Sequence, residues 1–204
     1  MHKTTILRED LETLYNSGLS MIEIATKLKC SPHKIVYWMN KYSLQRRSLS
    51  NAMYAKLNPN GDPFKIKELI NQDEKFLYGL GIGIYWGEGD KRSKNALRVA
   101  NTDPELIKVF TKFLLIICQL EKRKLIYNLI CFNDSNPEEV RSYWAKELGI
   151  SKEKFGKIVQ IPSQGKGTYK KKSMYGVCIL IVGNMKLKSW IMNEINKVNS
   201  AWIV

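Results

Sequence analysis

Glu88 closes the stretch of this chain best suited to chemistry. In Phe76-Leu77-Tyr78-Gly79-Leu80-Gly81-Ile82-Gly83-Ile84-Tyr85-Trp86-Gly87-Glu88-Gly89-Asp90, three glycines recur every four residues, and the run ends on two acids. On a helix that spacing puts Gly79, Gly83 and Gly87 on one face. Each interior glycine costs about 1 kcal/mol relative to alanine, so the stripe makes sense where a second backbone must come close, as in packing of small residues spaced by four. Glu88 would sit at the helix C-terminus, where the dipole disfavours negative charge, and an acid there asks for a cation. Two such helices packed together would bring two carboxylates close, and a divalent metal would answer both. Asp90 is a second acid candidate.

Other chemistries fit less well. The stretch lacks the Gly-Lys-Ser/Thr ending of a Walker A loop, and Gly79-Leu80-Gly81 is followed by Ile84 where a dinucleotide fingerprint needs glycine. His2 and His33 are the only histidines, which disfavours a histidine metal site or a Ser-His triad. Cys30, Cys118, Cys131 and Cys178 form no CxxC pair and read as buried small hydrophobes.

Gly81-Ile82-Gly83-Ile84-Tyr85-Trp86-Gly87-Glu88-Gly89 resembles the LAGLIDADG motif of homing endonucleases. Gly83 and Gly89 match the family's glycines and Glu88 its metal-binding acid. Gly81 replaces the leading leucine, and Trp86 stands where the motif has its first aspartate. The resemblance implies a homodimer packed through this helix, because only one copy of the motif is present. It also implies Mg2+ (or another divalent cation) held by Glu88 and its copy, DNA strand cleavage as the activity, and a basic residue beside the site. Lys172 or Lys170 would fill that last role.

The elements that must position these groups follow from periodicity and punctuation. Asn95 to Asn101 reads as a strand, then a helix from Thr102-Asp103-Pro104 to about Leu120, a strand from Lys124 to Phe132, and a helix from Asn136-Pro137 through Leu148. Phe155 to Ile161 and Ser173 to Val182 read as strands, and Asn184 caps a last helix to Val198. The segments are not expected to alternate as parallel βαβ units. With the resemblance, this order implies an αββαββα domain with a curved antiparallel sheet and an extra helix.

Residues Ile6 to Leu44 read as three short helices. Gly18 breaks the first, Ser20 with Glu23 forms a capping box for the second, and Ser31-Pro32 opens the third after a turn at Lys29-Cys30. Ile22, Ile24, Ala25 and Leu28 would face inward on the second helix, and Ile35, Val36 and Met39 on the third. The segment resembles the helix-turn-helix of resolvases and many repressors. The resemblance implies that the third helix reads DNA through His33, Lys34, Tyr37 and Lys41, with Arg46 and Arg47 on the backbone. A three-helix packing unit with a solvated basic face is the plainer alternative.

The expected organisation is therefore α+β: a helix-turn-helix domain over 1–47, a linker over 48–73 with a short helix around Phe64 to Ile70, and the LAGLIDADG-like domain over 74–204. The linker rests on the turn-rich Asn58-Pro59-Asn60-Gly61-Asp62-Pro63. Thirty-three Lys and Arg against nineteen Asp and Glu give a net charge of +14, which attracts polyanions. Basic clusters flank the expected sheet: Lys91, Arg92 and Lys94 follow the acid, Arg98 lies on the first strand, and Lys166, Tyr169, Lys170 and Lys171 precede the last. With no signal-like start and no apolar run of membrane length, a cytoplasmic, nucleoid-associated protein is expected. Two functions stay open: a homodimeric, metal-dependent endonuclease on a near-palindromic duplex site, and a regulator that kept the fold and binds without cutting. RNA binding is a third, less favoured class.

Overall fold

The structure is a computed structural model that describes residues 5–162 and 174–201, with side chains through Lys197. The chain divides into two compact units, Met1–Asp62 and Pro63–Val204.

The first unit holds α1 (Arg8–Asn16), α2 (Met21–Lys27), α3 (Pro32–Lys41) and α4 (Leu49–Leu57). Local chemistry sets each start. Ser20 and Glu23 close a reciprocal capping box: the Glu23 N–H donates to the Ser20 hydroxyl at 3.2 Å, and the Ser20 N–H donates to the Glu23 carboxylate at 2.7 Å. Ser31 accepts from the Lys34 N–H, with Pro32 at the first helical position. A side-chain cap is worth about 1 kcal/mol. Lys29, at the turn between α2 and α3, has a φ of 50°. Leu11, Ile24, Ala25, Ile35 and Met39 are buried together with Ile6. Ile22, expected inward, is 67% exposed: it lies about 200° around the helix from Ile24, and only one side of α2 meets its neighbours. The helix of the expected linker is α4, not Phe64 to Ile70.

The second unit runs α5 (Gln72–Glu88), β1 (Leu97–Asn101), α6 (Pro104–Lys112), a π-helical turn (Phe113–Ile117), β2 (Ile126–Phe132), α7 (Pro137–Leu148), β3 (Phe155–Ile161), β4 (Val177–Val182) and α8 (Met185–Ala201). The four strands make one mixed sheet in the order β1-β4-β2-β3. β4 lies antiparallel to both β1 and β2, but β2 and β3 are parallel. The expected all-antiparallel sheet is thus corrected. Residues 133–154 between β2 and β3 carry α7, and such a helical crossover returns the chain in the same direction where a tight hairpin would reverse it. That β2–α7–β3 segment is a parallel βαβ unit, which the sequence reading had not expected. β1 has no hairpin partner next to it in sequence; β4 separates it from β2.

Alternate residues face the core. Leu97 and Val99, Tyr127, Leu129 and Cys131, and Cys178, Leu180 and Val182 are buried with Ile107, Phe110, Trp144, Leu187 and Ile191 from the helices. The register puts the other residues on the opposite face, where Ile126 pairs with Ile181 and Ile130 with Val177. Asn71, Asp103 and Asn136 cap α5, α6 and α7 through their side-chain oxygens. Residues 64–70 are not helical. The Lys65 and Lys67 N–H groups donate to the carbonyls of Cys118 and Ile117, at the end of the π-helical turn, and Phe64, Ile66 and Leu69 pack against the core.

Candidate functional site

Two features of α5 define the site: an outer face that lines an open groove among the described residues, and a tightly built C-terminal end. Tyr85 and Ile82 are buried, and α5 packs against α6, the π-helical turn, α8 and β1. The opposite side carries Phe76, Gly79, Leu80, Gly83, Gly87 and Glu88, which with Lys75 and Ile84 line an open groove. Phe76 is 70% exposed, and a Cβ built on Gly79, Gly83 or Gly87 would meet none of the described residues within 4 Å. The three glycines named from spacing therefore share one exposed face, flanked by apolar side chains that the spacing argument did not include. Gly81 behaves differently. It is buried, and a Cβ there would lie 2.1 Å from Phe113 Cγ.

Glu88 is the last residue of α5 and is exposed. The turn beyond it is held from three sides. The Gly89 N–H donates to the Tyr85 carbonyl, and Gly89 bridges to Val99 of β1. The Asp90 N–H donates to the Arg98 carbonyl at 2.9 Å. The Asp90 carbonyl accepts from the Tyr85 hydroxyl at 2.7 Å and also from the Lys188 ammonium, which donates to the Tyr85 hydroxyl as well. Gly89 has to be glycine, because a Cβ would come within 2.6 Å of the Tyr85 ring. Burial first, and then the Asp90 charge, raise the Tyr85 phenol above its ordinary value, so it stays protonated and donates.

Asp90 is committed within the chain. Its carboxylate accepts from the Arg92 N–H at 2.8 Å and the Ser93 N–H at 3.4 Å, and Arg98 approaches to 4.0 Å. The Arg92 backbone bond is the main cause that holds the Asp90 carboxyl below its ordinary range. Lys91 turns back to donate to the Trp86 carbonyl at 2.5 Å, placing a cation at the C-terminal end of α5. Among the described residues no group of three or more His, Cys, Asp or Glu could hold a metal. A magnesium ion keeps several waters and takes one or two carboxylates plus phosphate oxygens. Glu88, exposed at the end of α5, could supply one such carboxylate.

Of the basic residues named from sequence, Lys91, Arg92, Lys94 and Arg98 are exposed next to the end of α5 and on β1. Lys166, Tyr169, Lys170, Lys171 and Lys172 lie outside the described residues. In the first unit, His33, Tyr37 and Lys41 are exposed along α3 and Lys34 is half-buried. Lys41 sits 4.6 Å over the Trp38 ring. Arg46 reaches the Asn40 side chain at 3.4 Å. Arg47 is less available: its guanidinium lies 4.0 Å over the Tyr15 ring, and its N–H donates to the Tyr15 hydroxyl.

Lys188 is the residue that sequence reasoning missed. It is 4% exposed, one of two polar side chains buried among the described residues. Its signal was available: Leu187, Ile191 and Ile195 form the buried stripe of α8, and helical spacing places a residue at 188 on that stripe. Burial first, with Lys91 adding and Asp90 opposing, pushes its ammonium below the ordinary lysine value.

The chain matches no family model, no curated protein and no solved structure. Among the described residues no helix is long and apolar enough to cross a membrane.

Proposed function

We propose that this chain binds double-stranded DNA as a homodimer joined through the outer face of α5, and that Glu88 and its copy hold a divalent cation at the two-fold axis. The carrying observation is that face itself. Gly79, Gly83 and Gly87 leave open space, Phe76 and Leu80 flank them, and the stripe runs to an exposed carboxylate. A two-fold arrangement suits a near-palindromic duplex. The net charge of +14 and the exposed cations of β1 and α3 suit a phosphate backbone. Bound there, Mg2+ would lower the pKa of a water and stabilise a leaving oxygen, the chemistry of phosphodiester hydrolysis. The chain's own part is to present Glu88 from a fixed helix end and to grip phosphates with Lys91, Arg92 and Lys94. The α3 residues His33, Lys34, Tyr37 and Lys41 supply base and backbone contacts in the manner of a helix-turn-helix.

One observation favours the second reading, a DNA-binding regulator without cleavage. The cation that an acid at a helix C-terminus calls for is partly supplied within the chain by Lys91, and Asp90 is spent on backbone N–H groups.

A library of random duplexes, incubated with the protein and Mg2+ and sequenced at new ends, separates the two. Cutting by the wild type that is lost in Glu88→Gln, with duplex binding retained, supports the endonuclease. Selective duplex binding without cutting in Mg2+ or Mn2+ leaves the regulator, and equal or better binding to RNA duplexes overturns both.

A further inference from the structure

The buried cation of α8 reaches the far side of the same helix end that carries Glu88. A lysine that is 4% exposed costs desolvation that an apolar residue of similar volume would not. Its ammonium is spent on two oxygens, the Tyr85 hydroxyl and the Asp90 carbonyl. Both belong to the segment that ends α5, one turn before Glu88 and two residues after it. Tyr85 closes the triangle by donating to the same carbonyl. Lys188 is itself anchored, because its N–H donates to the Asn184 carbonyl in the first turn of α8.

We propose that Lys188 is the positioning residue for the Glu88 carboxylate. Its ammonium clamps the Gly89–Asp90 turn against Tyr85 and so fixes the height at which α5 stops and the direction in which Glu88 leaves the helix. Two copies of the chain can share one cation only if both carboxylates hold their place to within a fraction of an ångström. A fraying helix end would not provide that, since the last turn of a helix has carbonyls with no partner inside it. The clamp replaces fraying with bonds to a side chain from a different helix. This inference rests on the metal-binding reading of Glu88, but the clamp makes its own prediction about the turn.

The test uses the full chain with Lys188→Met, which keeps length and apolar bulk and removes every side-chain donor. Two readouts are taken: amide hydrogen exchange at Gly89 and Asp90, and Mn2+ affinity from the loss of the free-ion EPR signal. The clamp predicts at least tenfold faster exchange at those two amides, with amides in the middle of α8 and in β4 unchanged, and at least tenfold weaker Mn2+ binding. Unchanged exchange at Gly89 and Asp90 overturns it. Faster exchange with unaltered Mn2+ affinity overturns the link to Glu88 and leaves Lys188 a structural residue. If Lys188→Met does not fold, Lys188→Gln decides by the same readouts: its amide is uncharged and one atom shorter than the lysine arm, so it bonds the two oxygens more weakly; at least threefold effects are expected, and none overturns the proposal. Glu88→Gln is the control for the underlying reading. Mn2+ binding that survives it removes the metal from Glu88, while the exchange data still judge the clamp.

Discussion

Gly81 and Phe113 interlock: a Cβ on Gly81 would fall 2.1 Å from Cγ of the Phe113 ring, which sits at the start of the π-helical turn. Phe113 is fully buried and stacks on Phe110 and Trp190, so the ring has nowhere to retreat. The glycines of α5 therefore divide into one that the core requires and three that it does not. Gly81→Ala should destabilise the chain by about 1–3 kcal/mol, the usual cost of overpacking. Gly83→Ala, with open space around it, should stabilise the isolated chain by up to about 1 kcal/mol through helix propensity. Urea unfolding of the two variants side by side checks this, and shifts of the same sign would contradict the packing described.

A second prediction separates folding from assembly. On the exposed face, a bulky residue at Gly83 meets none of the described residues but would block the approach of another backbone. Gly83→Leu should keep the far-UV spectrum and, like Gly83→Ala, stabilise the isolated chain by up to about 1 kcal/mol, while raising the dimer dissociation constant by at least tenfold in sedimentation equilibrium. A wild type that stays monomeric at high micromolar concentration would remove the α5 dimer altogether.

The cysteines give a prediction about pH. Cys118 and Cys178 are fully buried, and burial pushes each thiol from an ordinary 9.0 up to about 12. Cys131 is also raised by burial, whereas Cys30 is half-exposed. One thiol per native chain should react quickly with a disulfide reagent at pH 8, and four after denaturation. The sign of the linkage follows from the raised values. The stabilisation is fully present below pH 9, where folded and unfolded thiols are both protonated, and it is lost as pH climbs toward 12 because only the unfolded chain releases its protons. Each of the two thiols should contribute a loss of about 1 kcal/mol per pH unit in that window. Cys118→Ala should flatten the alkaline decline in unfolding midpoint; an unchanged slope would contradict the burial argument.

Much of this architecture is legible in the sequence, for a physical reason. Caps act through neighbours in sequence, so Ser20 with Glu23, Ser31-Pro32, Asp103-Pro104 and Asn136-Pro137 mark helix starts that the structure places there. The end of α5 at Glu88 is equally local, since Gly89 follows it. What sequence reasoning missed depends on distant partners. Residues 64–70 are apolar enough for a short helix, but the carbonyls of Ile117 and Cys118 take the N–H groups of Lys67 and Lys65. Strand direction is decided by where a crossover lands, and no feature of β3 itself says that it will lie parallel to β2. The stripe of Leu187, Ile191 and Ile195 carries Lys188 inward, but the oxygens it meets there, on Tyr85 and Asp90, lie far away in sequence.

The last prediction concerns which cations of the first unit would touch a phosphate backbone. Lys34 and Lys41 lie along the face of α3 that exposes His33 and Tyr37, whereas Arg47 packs over the Tyr15 ring and bonds to its hydroxyl. If α3 lies against a duplex, each lysine removed from a phosphate should lower the slope of log affinity against log salt by about 0.9. Lys34→Ala and Lys41→Ala should each do so, and Tyr37→Ala should change sequence preference more than slope. Arg47→Ala should instead destabilise the unit, by about 0.5–1 kcal/mol for the lost contact with Tyr15, and leave the slope nearly intact. Fluorescence anisotropy on one duplex between 50 and 200 mM salt, a range over which several phosphate contacts change affinity by about a thousandfold or more, distinguishes these outcomes. A slope that drops for Arg47→Ala but not for the two lysines would move the interface off α3 and onto the segment that follows it.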